Sequence, residues 1–272
     1  MDFQFLKYET DDRVATITFN NPDRHNAINA TMKKEFRIAL AKAGDDPDIR
    51  VIIVTGAGCK AFSSGMDLGA IDIPQGQGAV AAWRDREADN LDFCYTVWNC
   101  SKPVIAQIEG YCFGPAFEFA QMCDIRYCSE DSKFGEIEAR FSAGLPTLIL
   151  PWIIGPRCRD LIYTGDTIGA SEAKELGLVS RVFPNDRLQF ETLKLAKRMS
   201  MVAIECLQWN KRAINHTYEV MGIRAALAYG LEVNAIIQGI MPPEQQEFER
   251  IRIEKGPKEA VKWRKILFEK YE

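Results

Sequence analysis

Residues 102–128 read Lys-Pro-Val-Ile-Ala-Gln-Ile-Glu-Gly-Tyr-Cys-Phe-Gly-Pro-Ala-Phe-Glu-Phe-Ala-Gln-Met-Cys-Asp-Ile-Arg-Tyr-Cys, and this stretch decides the fold. Lys102-Pro103 precedes a strand over Val104–Ile108. Gly110–Gly114 is a glycine-bounded turn and Pro115–Met122 a short helix, with proline at the first helical position, where its missing N–H costs nothing. Ile125–Cys128 is a strand again. Upstream, Val51–Thr55 is apolar throughout, as suits a strand buried on both faces. Buried strands alternating with helices imply a parallel-type α/β core.

The pattern extends outward from there. Phe3–Thr10 and Arg13–Asn20 read as two strands about the Asp11-Asp12 turn. Ala30–Ala43 is a helix with Met32, Phe36, Ala39 and Leu40 on one face and Thr31 as its N-cap. Gln75–Gly78 is a loose stretch leading into a helix over Val80–Asn99. From Pro151 onward helices dominate: 157–163, 171–176, 186–199, 203–216 and 222–238. The charged tail, Pro243–Glu272, divides into two amphipathic helices at Gly256-Pro257. No Ser/Gly-rich linker interrupts the chain, so residues 1–200 are expected to form the core and 201–272 a helical cover or oligomer-contact region.

Composition excludes several classes. The 272 residues include 34 Lys+Arg, 38 Asp+Glu and only 2 His, for a net charge of −4. No basic field is present to attract nucleic acid or an anionic membrane. No apolar run approaches the ~20 residues a membrane span needs. The start, MDFQFLKYETDD, lacks a basic segment followed by an apolar one, so no secretory signal is expected. The 8 cysteines show no C-x-x-C pair and no zinc-like doublet, and most lie in apolar stretches; a reducing cytoplasm is the expected setting. Only His25 and His216 exist, so a multi-histidine metal site is excluded and carboxylates become the first candidates for proton transfer.

Three segments carry candidate chemistry. Lys60–Leu68, directly after a buried strand, is a Gly-containing loop able to present backbone N–H groups to an anion or carbonyl oxygen. Gly110–Glu118 ends at a helix start, which aims donors and a positive dipole end at whatever lies before it. Glu118 sits there among Ala116, Phe117, Phe119 and Ala120, where desolvation disfavours its ionisation and suits it to acid/base work; the plainer reading is a Glu that complements the helix dipole. Phe134-Gly135-Glu136-Ile137-Glu138 supplies a second carboxylate, Glu138.

Together these segments resemble the enoyl-CoA hydratase/isomerase (crotonase) family, as a divergent member. The resemblance covers most of the chain. It includes Asn21-Pro22-Asp23-Arg24-His25-Asn26-Ala27-Ile28, Val51–Gly56, Lys60–Leu68, Lys102–Ala106, Gly110–Asp124, Thr164-Gly165-Asp166 and Ala173–Val179. It implies a spiral of ββα units with C-terminal helices, and a homotrimer or dimer of trimers. It implies an acyl-CoA thioester substrate, with coenzyme A present only as part of that substrate and no separate cofactor or metal. Glu118 and Glu138 fall at the paired catalytic glutamates, and the Met66 N–H at the first oxyanion donor. Arg24, His25, Ala27, Ser64, Gly65, Asp67, Leu68 and Gly114 fall along the substrate and CoA groove.

Two departures stand out. The family's second oxyanion donor falls on Pro115, which has no N–H. Losing such a donor removes roughly 3–4 kcal/mol of transition-state stabilisation. The Ala116 N–H, a side chain or a water is left to replace it, or the electrophile has changed. After Glu138, Ser142–Thr147 replaces the usual Gly-rich segment. The leading expectation is hydration of a 2-enoyl-CoA, or its reverse. A one-base enoyl-CoA isomerase, a C–C or β-diketone hydrolase, and a binding protein with a dead site are the alternatives. Lys265 or Lys270 from a neighbouring subunit is a further phosphate-binding candidate. Gly69–Trp83 and the helix to Trp98 are expected to wall the acyl pocket, with Trp83, Phe93, Tyr95 and Trp98 either in that wall or in the core.

Overall fold

The computed structural model describes residues 3–70, 76 and 78–271. It opens on an antiparallel hairpin, β1 (Leu6–Asp11) and β2 (Val14–Phe19). Helix α1 (Ala30–Asp45) follows, then β3 (Val51–Gly56), β4 (Ala61–Ser63) and α2 (Ala79–Asn99). The next turn of chain is β5 (Val104–Ile108), β6 (Tyr111–Phe113) and α3 (Pro115–Met122), and the one after begins β7 (Ile125–Ser129) and β8 (Lys133–Gly135). Short helices α4 (Leu150–Ile154) and α5 (Cys158–Thr164), strand β9 (Ile168–Gly169), helix α6 (Ala170–Glu175), strand β10 (Arg181–Phe183) and helix α7 (Leu188–Met199) complete this part. Four helices close the chain: α8 (Ile204–Val220), α9 (Ile223–Ile240), α10 (Pro243–Lys255) and α11 (Pro257–Glu269).

Successive strands alternate between two sheets, which makes the spiral of ββα units. One has the order β1-β2-β3-β5-β7-β10, the other β4-β6-β8-β9. All pairings after the hairpin are parallel except β8 with β9. The large sheet is covered on both sides, which explains its continuous apolar strands. Ile52 and Val54 of β3 point into one core with Val104 and Ala106, shared with α1, α2 and α3. The intervening Val51, Ile53 and Ile105 point to the other face, closed by Leu188 and Ala196 of α7. An aromatic group fills the first core, with Phe93 stacked on Phe119 at 4.8 Å and Phe36 edge-on to both.

The helical C-terminus is bound to this core. Ile223, Leu227 and Leu231 of α9 belong to it. Lys211 of α8 is buried, and its Nζ donates to the Val97 and Lys102 carbonyls and, at 2.8 Å, to Asp124 Oδ2. α9 approaches α2 so closely that a Cβ on Gly239 would fall 2.4 Å from Val80 Cγ2. Helices α10 and α11 fold back, packing Phe248 and Ala260 against Leu68 and Phe141.

Several expectations need correction. The Gly110–Gly114 turn and the Lys60–Leu68 loop each contain a strand of the small sheet, β6 and β4. The N-cap of α1 is Asn29, not Thr31: Asn29 Oδ1 accepts the Met32 N–H at 2.9 Å. The first strand starts at Leu6 rather than Phe3. In the loose 75–78 stretch, residues 75 and 77 lie outside the described residues; Gly76 and Gly78 both hold positive φ, and Gly78 starts α2. Among the described residues no single helix is long and apolar enough to cross a membrane. All eight cysteines are free thiols.

Candidate active site

The site is built where β6 turns into α3. Gly114 adopts φ 52°, ψ −130°, and its N–H donates to the Gly135 carbonyl of β8 at 2.9 Å. A Cβ there would fall 1.9 Å from Glu138 Oε1, so glycine lets the Glu138 carboxyl lie directly over the helix start. Glu138 itself comes from the 3₁₀ turn Ile137–Phe141 that follows β8.

Glu118 occupies the first turn of α3 and is fully buried. Its Oε1 accepts the Thr147 N–H at 2.8 Å and the Leu148 N–H at 3.0 Å. Leu148 reaches that position through a left-handed backbone, φ 49°. Glu118 Oε2 has no partner among the described residues, and neither has Glu138 Oε2. Burial pushes Glu118 up to about 7, against the lowering effect of the two N–H donors. Burial, then the neighbouring Glu118, pushes Glu138 up to about 8. The two carboxyls therefore titrate as one interacting pair. Glu136, between them in sequence, is buried with both oxygens unpartnered, and burial holds its carboxyl well above the usual range.

The facing wall is the Gly-containing loop. Gly65 takes φ +94°; its carbonyl accepts the Ile28 N–H, and the Ile28 carbonyl accepts the Asp67 N–H. The Met66 N–H between them is left out of this pairing. A Cβ on Gly65 would lie 3.4 Å from Pro115 Cδ, so the loop and the start of α3 run side by side. Pro115 places a methylene where another residue carries its amide hydrogen. The N–H of Ala116, next along, meets no carbonyl among the described residues.

The groove residues are held by a small network. Asp67, buried, pairs with Arg24 at 2.9 Å and accepts the Gly69 N–H at 3.0 Å. Asn26, wholly buried, clamps the preceding turn by donating to the Ala57 and Ala61 carbonyls and accepting from the Asn21 N–H. That clamp holds His25 and Asn26 at φ 51° and 53°.

These parts border a cleft of about 850 Å³. Arg24, His25, Ala27, Ser64, Met66, Asp67, Leu68, Pro115 and Glu138 line it. Glu118, Gly65, Gly114 and Ala116 lie behind that wall rather than on it. Of the four aromatic candidates only Trp83 lines the cleft: Phe93 is in the core, Tyr95 lies under Arg224, and Trp98 packs on Tyr218. Position along α2 matters more than helix phase: 83, 87 and 90, in its first half, border the cleft, whereas Val97, on the same stripe two turns later, is in the core. Gly69 and Trp83 bound the expected pocket wall; residues 71–75 and 77 of it lie outside the described residues. Lys265 and Lys270 are not on this cleft, and Lys265 pairs with Glu269. Lys258, Glu87 and Gln245 line it without having been singled out. Their helix spacing was readable, but not which face would meet the cleft.

A family model described as enoyl-CoA hydratase/isomerase matches residues 9–238. A crystal structure described as an enoyl-CoA hydratase/isomerase from Xanthobacter autotrophicus Py2 superposes with a TM-score of 0.93 at 36% identity, covering 98% of this chain and 99% of that one. The crotonyl-CoA hydratase of Syntrophomonas wolfei is 31% identical over 79% of this chain and 83% of its own. The peroxisomal Delta(3,5)-Delta(2,4)-dienoyl-CoA isomerase of Arabidopsis thaliana is 37% identical over 66% and 69%.

Proposed function

The chain belongs to the enoyl-CoA hydratase/isomerase family, and from that premise we propose that it adds water to a 2-enoyl-CoA thioester, or removes it, using Glu118 and Glu138. The observation that carries the reading is the convergence of two buried carboxyls at the start of α3, Glu118 in its first turn and Glu138 Oε1 against Gly114, each with an oxygen unpartnered among the described residues. In the proposed cycle the CoA portion lies along Arg24, His25, Ala27 and Ser64. The thioester oxygen is held by the N–H groups of Met66 and Ala116, the latter replacing the donor that Pro115 cannot supply. Glu118, anchored by two N–H groups through Oε1, takes a proton from water through Oε2 as the oxygen bonds to the β-carbon. Glu138, protonated and on the cleft wall, gives its proton to the α-carbon. That C–H bond consumes the enolate and restores the neutral thioester carbonyl, leaving Glu118 protonated by the water and Glu138 ionised. Exchange within the pair or with solvent restores the start.

The test follows loss of the conjugated thioester absorbance across a panel of 2-enoyl-CoA substrates. Turnover is expected, and Glu118→Gln and Glu138→Gln are each expected to lower kcat by about 10²–10⁴-fold. No turnover of any substrate by folded protein overturns the reading. A one-base isomerase is the second reading, favoured by the fact that Glu138 lines the cleft and Glu118 does not. Double-bond migration that survives Glu118→Gln but not Glu138→Gln would select it.

A further inference from the structure

The cleft carries a polar group that the proposed chemistry does not use. Glu87 lies on the inner face of α2, is 3% exposed, and lines the cleft beside Trp83 and Asn90. Asn90 Nδ2 donates to Glu87 Oε2 at 2.8 Å. Asn90 is fixed in turn by buried Lys33, whose Nζ donates to Asn90 Oδ1 and, at 2.8 Å, to Asp89. Lys33 and Asn90 thus hold Glu87 Oε2 against the cleft wall. Two polar atoms of the cleft wall are buried without partners among the described residues: Trp83 Nε1, one turn before Glu87, and Gln245 Oε1 of α10. Gln245 is oriented by its own bond to Gln238, which also lines the cleft.

A pocket for a plain hydrocarbon tail needs none of this. Each buried polar atom left unpaired costs about 1–3 kcal/mol, so an indole N–H and an amide oxygen bordering the cleft, with a buried carboxyl beside them, mark a ligand that completes them. We infer that the acyl group bound here bears an oxygen function, a hydroxyl or carbonyl beyond the reacting carbons, and that Glu87, Trp83 and Gln245 recognise it. This rests on the acyl-CoA reading above. Hydrogen bonding is favoured over ion pairing because the two unpartnered atoms, an indole N–H and an amide oxygen, are a neutral donor and a neutral acceptor. A hydroxyl can accept from Trp83 and donate to Gln245 or Glu87, and a carbonyl can accept from Trp83.

The test measures equilibrium binding of saturated thioesters, which cannot be hydrated. Titration calorimetry compares butyryl-, hexanoyl- and octanoyl-CoA with their ω-hydroxy, ω-oxo and ω-amino counterparts. At one chain length the hydroxy or oxo ligand is expected to bind at least about tenfold tighter than the alkyl one. Glu87→Leu and Trp83→Phe should each bring that ratio toward one, with Glu87→Gln keeping part of it; thermal melts confirm that each variant is folded. Equal or weaker binding of every oxygenated ligand overturns the inference, as does a ratio unmoved by Glu87→Leu. Tightest binding of the amine also overturns it, since the wall would then be selecting a cation rather than a neutral oxygen function. Absence of enoyl-CoA turnover with the binding preference intact defeats the proposed reaction alone; no binding of any thioester defeats both.

Discussion

Glu118 is a carboxyl placed where the fold penalises its charge, so its cost to stability depends on pH. An unfolded glutamate titrates near 4.5, and here the group is pushed up to about 7. Between those values the folded chain binds the extra proton, so stability is full below about 4.5 and is lost as pH rises through 7. The gap corresponds to roughly 3 kcal/mol. Glu118→Gln cannot ionise, yet its amide oxygen can still accept from Thr147 and Leu148. It should unfold at higher denaturant than the native chain at pH 8, with the difference vanishing near pH 4.5. A difference that does not vary with pH would sink the idea. Pro115 raises a separate question at the same scale. If Ala116 supplies the oxyanion donor, Pro115→Gly should change kcat/KM by less than about tenfold while lowering Tm, because proline is pre-organised for the first helical position and glycine is not. A rise of a hundredfold or more in the hydration assay would mean that the proline had removed a donor which nothing replaced.

At the scale of elements, start and stop signals act through single hydrogen bonds. Asn29 caps α1 by accepting the Met32 N–H, so Asn29→Ala should cost about 1 kcal/mol in equilibrium urea unfolding, and Thr31→Ala far less. A larger loss from Thr31→Ala would return the cap to that residue. The choice between these neighbours shows how far sequence reading reaches. Continuous apolar runs such as Val51–Thr55 and long periodic helices were legible because burial on two faces or one stripe leaves a repeated pattern. Strands β4, β6, β8 and β9 were not, since two or three residues cannot display a period, and only the partner strand defines them. The candidate site divides along the same line. Glu118 was legible as a lone charge inside an apolar helix start, and Glu138 only through a family resemblance. Glu87 looked like one more charge on a polar helix until α9 and α10 were seen to cover that face.

At the level of the molecule, α9 presents apolar side chains to solvent: Tyr229, Ile236 and Ile240 are exposed and share one side of the helix by their spacing. A row of exposed apolar residues is a candidate protein contact. A homotrimer or dimer of trimers, the expectation from sequence, is proposed to use it. Sedimentation equilibrium should therefore report a multiple of the 30.8 kDa chain. Tyr229→Glu with Ile236→Glu, seven residues apart and so on one side of α9, should lower that multiple. The cleft offers a second readout, because its cover comes from α10 and α11 of the same chain: Phe248, Lys258 and Val261 line it. A dissociated variant should therefore keep acyl-CoA affinity within a few-fold of the native assembly. Loss of binding on dissociation would mean that a neighbouring chain completes the groove. A native protein that sediments at 30.8 kDa would remove the assembly altogether.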